Sequence, residues 1–223
     1  MPLPRTLRPL KRLVWRTLLG RRRMVAPSFS EAVHHDIQGR LDYARAASLA
    51  LALARIDTEA VPGSLAEVGV FRGETSGLIR AARPDRTLYL FDTFDGFPEE
   101  DLESFQRGDS RFQDTSLDIV RRNLGTLDRV VIRPGRVPES LSGLEDERFA
   151  FVLLDMDLRG PTAAALEFFY SRLSTGGYLF VHDYNNPESD YGCRKALDAF
   201  LQDKPEPIVE LPDIWGSAVF RKI

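Results

Sequence analysis

Short apolar runs alternate with segments of helical periodicity from about residue 64 to the end of the chain. Each run has the length of a single strand, and a helical segment separates most of them. This alternation predicts an α/β fold, a doubly wound parallel sheet with helices on both faces. The predicted strands are Leu65–Phe71, Thr87–Phe91, Arg129–Ile132, Phe149–Leu154 and Tyr178–Val181, with a last hairpin of Ile208–Glu210 and Ser217–Arg221, and the predicted helices are Glu74–Ala82, Ser116–Leu124, Ala163–Leu173 and Gly192–Leu201.

Two segments precede the sheet. Residues 31–56 predict one long helix that follows Ser30 as its cap, and Pro62-Gly63 ends this region. Residues 1–30 form a basic N-terminal arm, with eight Arg or Lys and no acidic residue, and residues 9–20 have the spacing of an amphipathic helix. This arm either contacts an anionic membrane surface through residues 1–25 or packs on the domain or on a second copy. The second is favoured, because amphipathic spacing alone selects no partner. We therefore divide the chain into this arm and a single domain over 31–223.

The charge distribution excludes some classes of partner. Outside the arm, 22 basic residues stand against 33 acidic ones, a balance of −11. An acidic body argues against nucleic acid as a main substrate. The lone cysteine, Cys193, excludes disulfide stapling, and no apolar run is long enough to span a membrane. We expect a cytoplasmic protein; peripheral membrane contact and self-association are left open.

A glycine loop follows the first predicted strand. The segment EVGVFRGET begins at Glu67, with Gly69 and Gly73 spaced differently from a dinucleotide fingerprint or an ATP-binding loop. Gly69 permits a tight turn, and Gly73 permits close approach of a ligand at the start of the next helix. Glu67 suits a cationic or amino-bearing ligand. Thr75 lies in the first turn of that helix, and we place it with the ligand-binding residues.

The second predicted strand ends at Asp92, within the segment FDTFDGFP that starts at Phe91. An acid at this position accepts hydrogen bonds from ribose hydroxyls in nucleoside-binding folds. Asp95-Gly96 predicts a turn, and Phe94 and Phe97 are candidates for a pocket wall.

Four further polar side chains follow two other strands. Asp155 and Asp157 come directly after Phe149–Leu154, and His182 and Asp183 follow Tyr178–Val181. Asp155 and Asp157 lie two residues apart, so in an extended strand end they share one side. All four converge on the edge that holds the glycine loop, because the carboxyl ends of parallel strands meet there. Carboxylates and an imidazole suit a divalent ion such as Mg²⁺ or Mn²⁺.

Taken together, four segments resemble the macrocin O-methyltransferase family, whose members methylate hydroxyls, typically of sugars, in antibiotic biosynthesis. The segments are EVGVFRGET from Glu67, FDTFDGFP from Phe91, LDMDLRGPT from Leu154 and GGYLFVHDY from Gly176. The resemblance runs from about residue 38 onwards. It implies a Rossmann-like class I methyltransferase fold with a seven-stranded sheet and an N-terminal helical extension.

The resemblance also implies roles for these residues. Glu67 and Gly69 bound the methionine part of S-adenosylmethionine, and Asp92 holds its ribose. Asp155 and Asp183 match metal-binding acids, with His182 as a third ligand, and Asp157 matches a general base. The implied activity is O-methyl transfer to a sugar hydroxyl or a glycosylated small molecule, with Mg²⁺ as the expected ion.

Two departures from the family pattern leave the acceptor open. His182 stands where many relatives have a second Asp, and residues 158–162 replace a Leu-Tyr-Glu segment on the substrate side. A lipid, glycan or catechol-type hydroxyl is an alternative acceptor. A binding protein that kept the fold without catalysis is the alternative of another class.

Overall fold

The computed structural model describes residues 42–223 together with Val33 and Ile37. The predicted arm of residues 1–30, its amphipathic helix, the Ser30 cap and the membrane contact through residues 1–25 lie outside this range. None of the described helices combines the length and the apolar composition that crossing a membrane requires.

Seven strands form one mixed sheet. They are β1 (Ser64–Val68), β2 (Leu88–Asp92), β3 (Val130–Pro134), β4 (Phe149–Leu154), β5 (Leu173–Val181), β6 (Val209–Leu211) and β7 (Ser217–Arg221). Their order is β3-β2-β1-β4-β5-β7-β6, with the first five parallel and the β6–β7 hairpin antiparallel. The predicted fold and its terminal hairpin are confirmed. Because β1 lies between β2 and β4, the chain reverses direction across the sheet at this point.

Helices cover both faces of the sheet. They are α1 (Tyr43–Thr58), α2 (Glu74–Ala82), α3 (Leu117–Leu124), α4 (Arg159–Tyr170) and α5 (Gly192–Leu201). One apolar cluster holds α1, α2 and α3 on one face, and a second holds α4 and α5 on the other. Every residue of β4 is buried, so both of its faces belong to the core. A strand enclosed in this way is an apolar run without alternation, which is the pattern of its sequence.

The structure corrects four predicted boundaries. The helix predicted over 31–56 is wrong as one element, because Asp42 has non-helical dihedrals and caps α1 by accepting a hydrogen bond from Arg45 N at 3.0 Å. The first strand ends at Val68, since Gly69 turns the chain with φ of +89°. The fourth helix begins at Arg159, with Pro161 in its first turn, where proline costs no helical hydrogen bond. Leu173, the predicted last residue of that helix, instead begins β5.

Phe169 on α4 anchors that helix to the sheet. Its ring is fully buried and meets the rings of Phe91 at 5.9 Å, Phe149 at 5.0 Å and Phe168 at 5.1 Å. The contacts with Phe91 and Phe149 join α4 to β2 and β4. Aromatic side chains packed edge to face in this way contribute to stability beyond the area that they bury.

Phe169→Ala should therefore lower the free energy of unfolding by about 3–5 kcal/mol, because it leaves a cavity among three rings. Urea denaturation measures the change. Phe105→Ala is the matched control, since Phe105 is 54% exposed and its removal should change the unfolding free energy by less than about 0.5 kcal/mol. Equal losses in the two variants would contradict this assignment of the core.

Candidate active site

A cavity of about 520 Å³ opens at the carboxyl edge of the sheet. This edge includes the switch point between β1 and β4, where open α/β sheets bind their ligands. The volume falls within the range of small-molecule sites. The predicted site residues that line the cavity are Glu67, Gly69, Thr75, Asp92, Asp155, Asp157, His182 and Asp183.

The loop after β1 depends on Gly69, as the sequence predicts. A Cβ atom at this position would lie 1.8 Å from the carbonyl oxygen of Asp155, so glycine alone lets β1 and β4 end side by side. Gly73 has another role than the predicted one. It caps α2, it is not among the residues that line the cavity, and a Cβ there would lie 3.2 Å from Val120 Cγ1. Its small size therefore makes room for α3 rather than for a ligand.

Glu67 is a buried carboxyl at the end of β1. It accepts a hydrogen bond from the hydroxyl of Ser76 on α2 and lines the cavity. Its pKa is raised to about 8, mainly by burial; the charges of Asp155 and Asp92 add to the rise, and the hydrogen bond from Ser76 and the charge of Arg45 oppose it. A carboxyl held in this way ionises readily only when a positive charge arrives beside it.

Asp92 organises the loop that the sequence assigns to a nucleoside. One of its oxygens accepts the backbone N–H groups of Val70 at 2.6 Å and Phe71 at 2.9 Å, and the other accepts that of Phe94 at 2.7 Å. A carboxylate has about four acceptor positions, so these bonds leave about one free. Asp92 therefore has room to accept one hydrogen bond from a ribose hydroxyl.

Of the two predicted wall residues, one is corrected. Phe94 is only 8% exposed, belongs to the apolar core on the α1 face, and is not among the residues that line the cavity. Phe97 does line it, and its ring packs edge to face against Phe112 at 5.2 Å.

The structure brings Asp155, His182 and Asp183 together, as predicted, with ligand-type atoms within 4.8 Å of one another. His182 Nδ1 lies 2.9 Å from an oxygen of Asp155 and 2.9 Å from an oxygen of Asp183. Its other ring nitrogen, Nε2, lies 3.0 Å from the carbonyl oxygen of Ile214. The imidazole is therefore surrounded by hydrogen-bond acceptors.

Arg45 is the main site residue that the sequence does not reveal. It projects from α1, it forms an ion pair and hydrogen bond with Asp155, and it lines the cavity. Its helix is held over the site because Asp42 accepts the N–H of Ile214 at 2.9 Å. Ile214 therefore connects Arg45 and His182. Its N–H donates to Asp42, which caps the helix that carries Arg45, and its carbonyl oxygen accepts from His182.

Charge pairing dominates the titration of this cluster. Burial alone would raise the pKa of Asp155, but Arg45 and His182 bring it well below its usual range. Burial would lower the pKa of His182, but Asp155 and Asp183 raise it to about 10. At neutral pH the cluster accordingly holds charged groups of both signs.

Asp157 lies beside this cluster rather than within it. The prediction that it shares one side of an extended strand end with Asp155 is wrong, since Asp157 has φ of +58° and turns the chain. Its carboxyl is approached by Asn186 Nδ2 at 3.4 Å and by Arg111 at 3.7 Å. Burial, together with the charges of Asp183 and Asp155, raises its pKa to about 8. A buried residue in a left-handed conformation beside a cavity is a frequent mark of function.

The predicted metal ligands are already engaged by other groups of the protein. All four oxygens of Asp155 and Asp183 already accept hydrogen bonds or ion pairs, from Arg45, His182 and Asn186. Both nitrogens of His182 face acceptors and so have no lone pair to offer an ion. The side chains as arranged do not fit a divalent ion.

The strand order and the site at its switch point define the class I methyltransferase fold, and comparison with solved structures agrees. The O-methyltransferase NovP aligns with a TM-score of 0.69 at 26% identity, covering 81% of this chain and 80% of its own. An SAH-bound methyltransferase of Podospora anserina, PaMTH1, aligns with a TM-score of 0.58 at 15% identity, covering 100% of this chain and 99% of its own, and so supports the fold alone.

The family model of macrocin O-methyltransferase (TylF) matches residues 17–222, and the chain belongs to this family. The mycinamicin III 3''-O-methyltransferase of Micromonospora griseorubida is 32% identical over 160 residues, which cover 64% of this chain and 61% of that protein. A Streptomyces olivaceus enzyme is 33% identical over 180 residues, which cover 73% of this chain and 66% of that protein. It is the 8-demethyl-8-(2,3-dimethoxy-alpha-L-rhamnosyl)-tetracenomycin-C 4'-O-methyltransferase. The chain thus spans somewhat less than two thirds of the length of these relatives.

The raised pKa of Glu67 predicts a pH-dependent effect on stability. The folded state holds a proton on Glu67 up to about pH 8, whereas the unfolded chain releases it near 4.5. Folding therefore becomes progressively less favourable as pH rises through this window. Glu67→Gln removes the penalty, so its stability relative to wild type should rise by roughly 1–3 kcal/mol between pH 5 and pH 8.

Urea denaturation of wild type and variant at each pH isolates this effect, because other titrating groups are common to both proteins. Glu103→Gln, at an exposed position, is the control and should show the same difference from wild type at both pH values. A difference for Glu67→Gln that is independent of pH would show that Glu67 is ionised in the folded protein.

Proposed function

We propose that this chain is an S-adenosylmethionine-dependent O-methyltransferase that acts on a hydroxyl of a sugar or of a glycosylated small molecule. The observation that carries the proposal is the meeting of Glu67, Asp92 and Asp157 in one cavity at the switch point. Family membership supports it, and the two relatives described above are named for methylation of sugar positions.

The cofactor would lie along the edge from β2 to β4. Asp92 would accept a hydroxyl of the ribose, and Glu67 would pair with the ammonium group of the methionine portion. Thr75 lines the same part of the cavity, at the N-terminus of α2. Because β2 and β4 flank β1, a cofactor held by Asp92 and Glu67 would share the cavity with Asp157.

Methyl transfer then requires little covalent chemistry from the protein. S-adenosylmethionine would supply its methyl group to the acceptor oxygen, and the electron pair of the carbon–sulfur bond would leave with the thioether product. The hydroxyl proton passes to Asp157, whose buried carboxylate is a stronger base than an exposed one. Holding the two reactants in line supplies much of the remaining rate.

The acceptor side of the cavity suits a ring with polar substituents. Phe97, Phe112 and Trp215 give aromatic surface, and Arg111 lies over the Phe97 ring at 5.5 Å from its centroid. Arg111 also reaches Glu188 at 3.5 Å, so the wall combines apolar faces with fixed charges. Apolar faces that pack on a ring, with a few polar groups that fix its orientation, are typical of small-molecule sites.

Calorimetric titration with S-adenosylmethionine tests cofactor binding. Wild type should bind with a dissociation constant on the order of micromolar. Glu67→Gln keeps a partner for Ser76 but loses the charge, so its affinity should fall about tenfold or more. Glu103→Gln should bind as wild type does. A folded wild-type protein that binds neither S-adenosylmethionine nor its thioether product would exclude the proposed activity.

Asp157→Asn tests the transfer step. The amide can still accept the hydrogen bond from Asn186 but cannot take the acceptor's proton, so turnover should fall by about 100-fold or more while cofactor affinity is kept. The assay measures transfer of a labelled methyl group to a panel of rhamnosides with free hydroxyls. Asp118→Asn, at an exposed position of α3, is the control. Undiminished turnover by Asp157→Asn would assign the base to another residue.

A further inference from the structure

Four charged side chains of alternating sign form a chain at the acceptor end of the cavity. Arg45 pairs with Asp155, Asp155 with His182, and His182 with Asp183. We infer that Arg45 and His182 supply the positive charge at this end of the site, and that the cluster takes no divalent cation. The inference rests on the proposed function for its chemical meaning, but the binding property that it predicts is independent of it.

Both ring nitrogens of His182 face hydrogen-bond acceptors. Carbonyl and carboxylate oxygens only accept, so Nε2 must carry a hydrogen for Ile214 and Nδ1 must carry one for Asp155 and Asp183. A metal ligand needs a nitrogen lone pair. This ring, held by acceptors on both sides, has none free.

The carboxylate oxygens of Asp155 and Asp183 are likewise all engaged. One oxygen of Asp155 accepts from Arg45 and the other from His182, while Asp183 accepts from His182 and, at 3.0 Å, from Asn186. Two negative side chains are therefore balanced by two positive ones inside the protein. A divalent ion would have to displace both cations from a buried position, where an unpaired charge is costly.

Arg45 also has a donor to spare. Its Nε atom is buried and has no hydrogen-bond partner among the described residues, and Arg45 lines the cavity. A guanidinium with a free N–H beside the reacting centre can stabilise the negative charge that develops on the acceptor oxygen as its proton leaves. The guanidinium of Arg45 would thus stabilise the negative charge that a metal ion stabilises in metal-dependent enzymes.

Hydrogen bonds to the backbone of Ile214 position both Arg45 and His182. Asp42 caps α1 and accepts the N–H of Ile214, while the carbonyl of Ile214 accepts from His182. The helix that bears Arg45 and the ring of His182 are therefore fixed relative to each other. This arrangement distinguishes a built ion-pair cluster from a loose surface pair.

Titration of metal-depleted protein with Mn²⁺, followed by the electron paramagnetic resonance signal of the free ion, tests the inference. Wild type should bind no Mn²⁺ at concentrations up to about 1 mM. The double variant Arg45→Met/His182→Asp removes both cations and adds a carboxylate, so it should bind one Mn²⁺ at least about tenfold more tightly than wild type. Adding Asp155→Asn to the double variant should abolish that binding.

Stoichiometric binding of Mn²⁺ by wild type, lost in Asp155→Asn, would overturn the inference. Binding by wild type is measured without the double variant, so it decides the point even if that variant does not fold; thermal melting shows whether each variant does. Titration of the same preparation with S-adenosylmethionine separates the two hypotheses. Binding of both ligands would refute the inference that the cluster takes no divalent cation, but it would support the proposed methyltransferase. Binding of neither ligand would agree with the inference but refute the proposed function.

Discussion

The contact between Gly69 and the backbone of Asp155 is the constraint on which the site depends. The carbonyl oxygen of Val68 accepts the N–H of Asp155 at 2.8 Å, and no side chain at position 69 fits between the two strand ends. β1 and β4 therefore finish together, and Glu67 reaches the same cavity as Asp155. The charge of Asp155 then contributes to the raised pKa of Glu67. A buried edge with this density of acids is stable only where cations or hydrogen-bond donors compensate them.

Most of the sheet could be predicted from the sequence, because buried parallel strands are apolar runs with turn residues between them. Boundaries were predicted less well where tertiary contacts override local preference. Asp42 interrupts a segment whose composition is helical throughout, since its carboxylate is engaged by Arg45 N and Ile214 N. The sequence around Leu173 is compatible with either a helix end or a strand start. Its pairing with Phe149 on β4 makes it part of the strand.

The sequence predicts the acids of the site but not the arginines that contact them. Acids at strand ends are visible in the sequence, since the strand pattern fixes where their side chains emerge, and Asp155, His182 and Asp183 do converge. Arg45 and Arg111 reach the cavity from a helix and a loop that are distant in sequence from the strand ends that they meet. No spacing rule connects such residues. The pairing of Asp155 with Arg45 and His182, which leaves no free ligand for the Mg²⁺ that the family resemblance implies, depends on such long-range partners, and local patterns do not contain them.

The bridge through Ile214 has a consequence for how the protein is made. Asp42, the cap of α1, is synthesised first, whereas the peptide of Ile214, which connects this cap to His182, is synthesised 172 residues later. Until then, neither the cap of α1 nor the ring of His182 has this peptide to hold it. The nascent chain can build its apolar layers in order of synthesis, but a complete site forms only when the last hairpin docks. Assembly of the electrostatic centre thus follows synthesis of this hairpin, and a chain truncated before the hairpin lacks the bridge that joins α1 to His182.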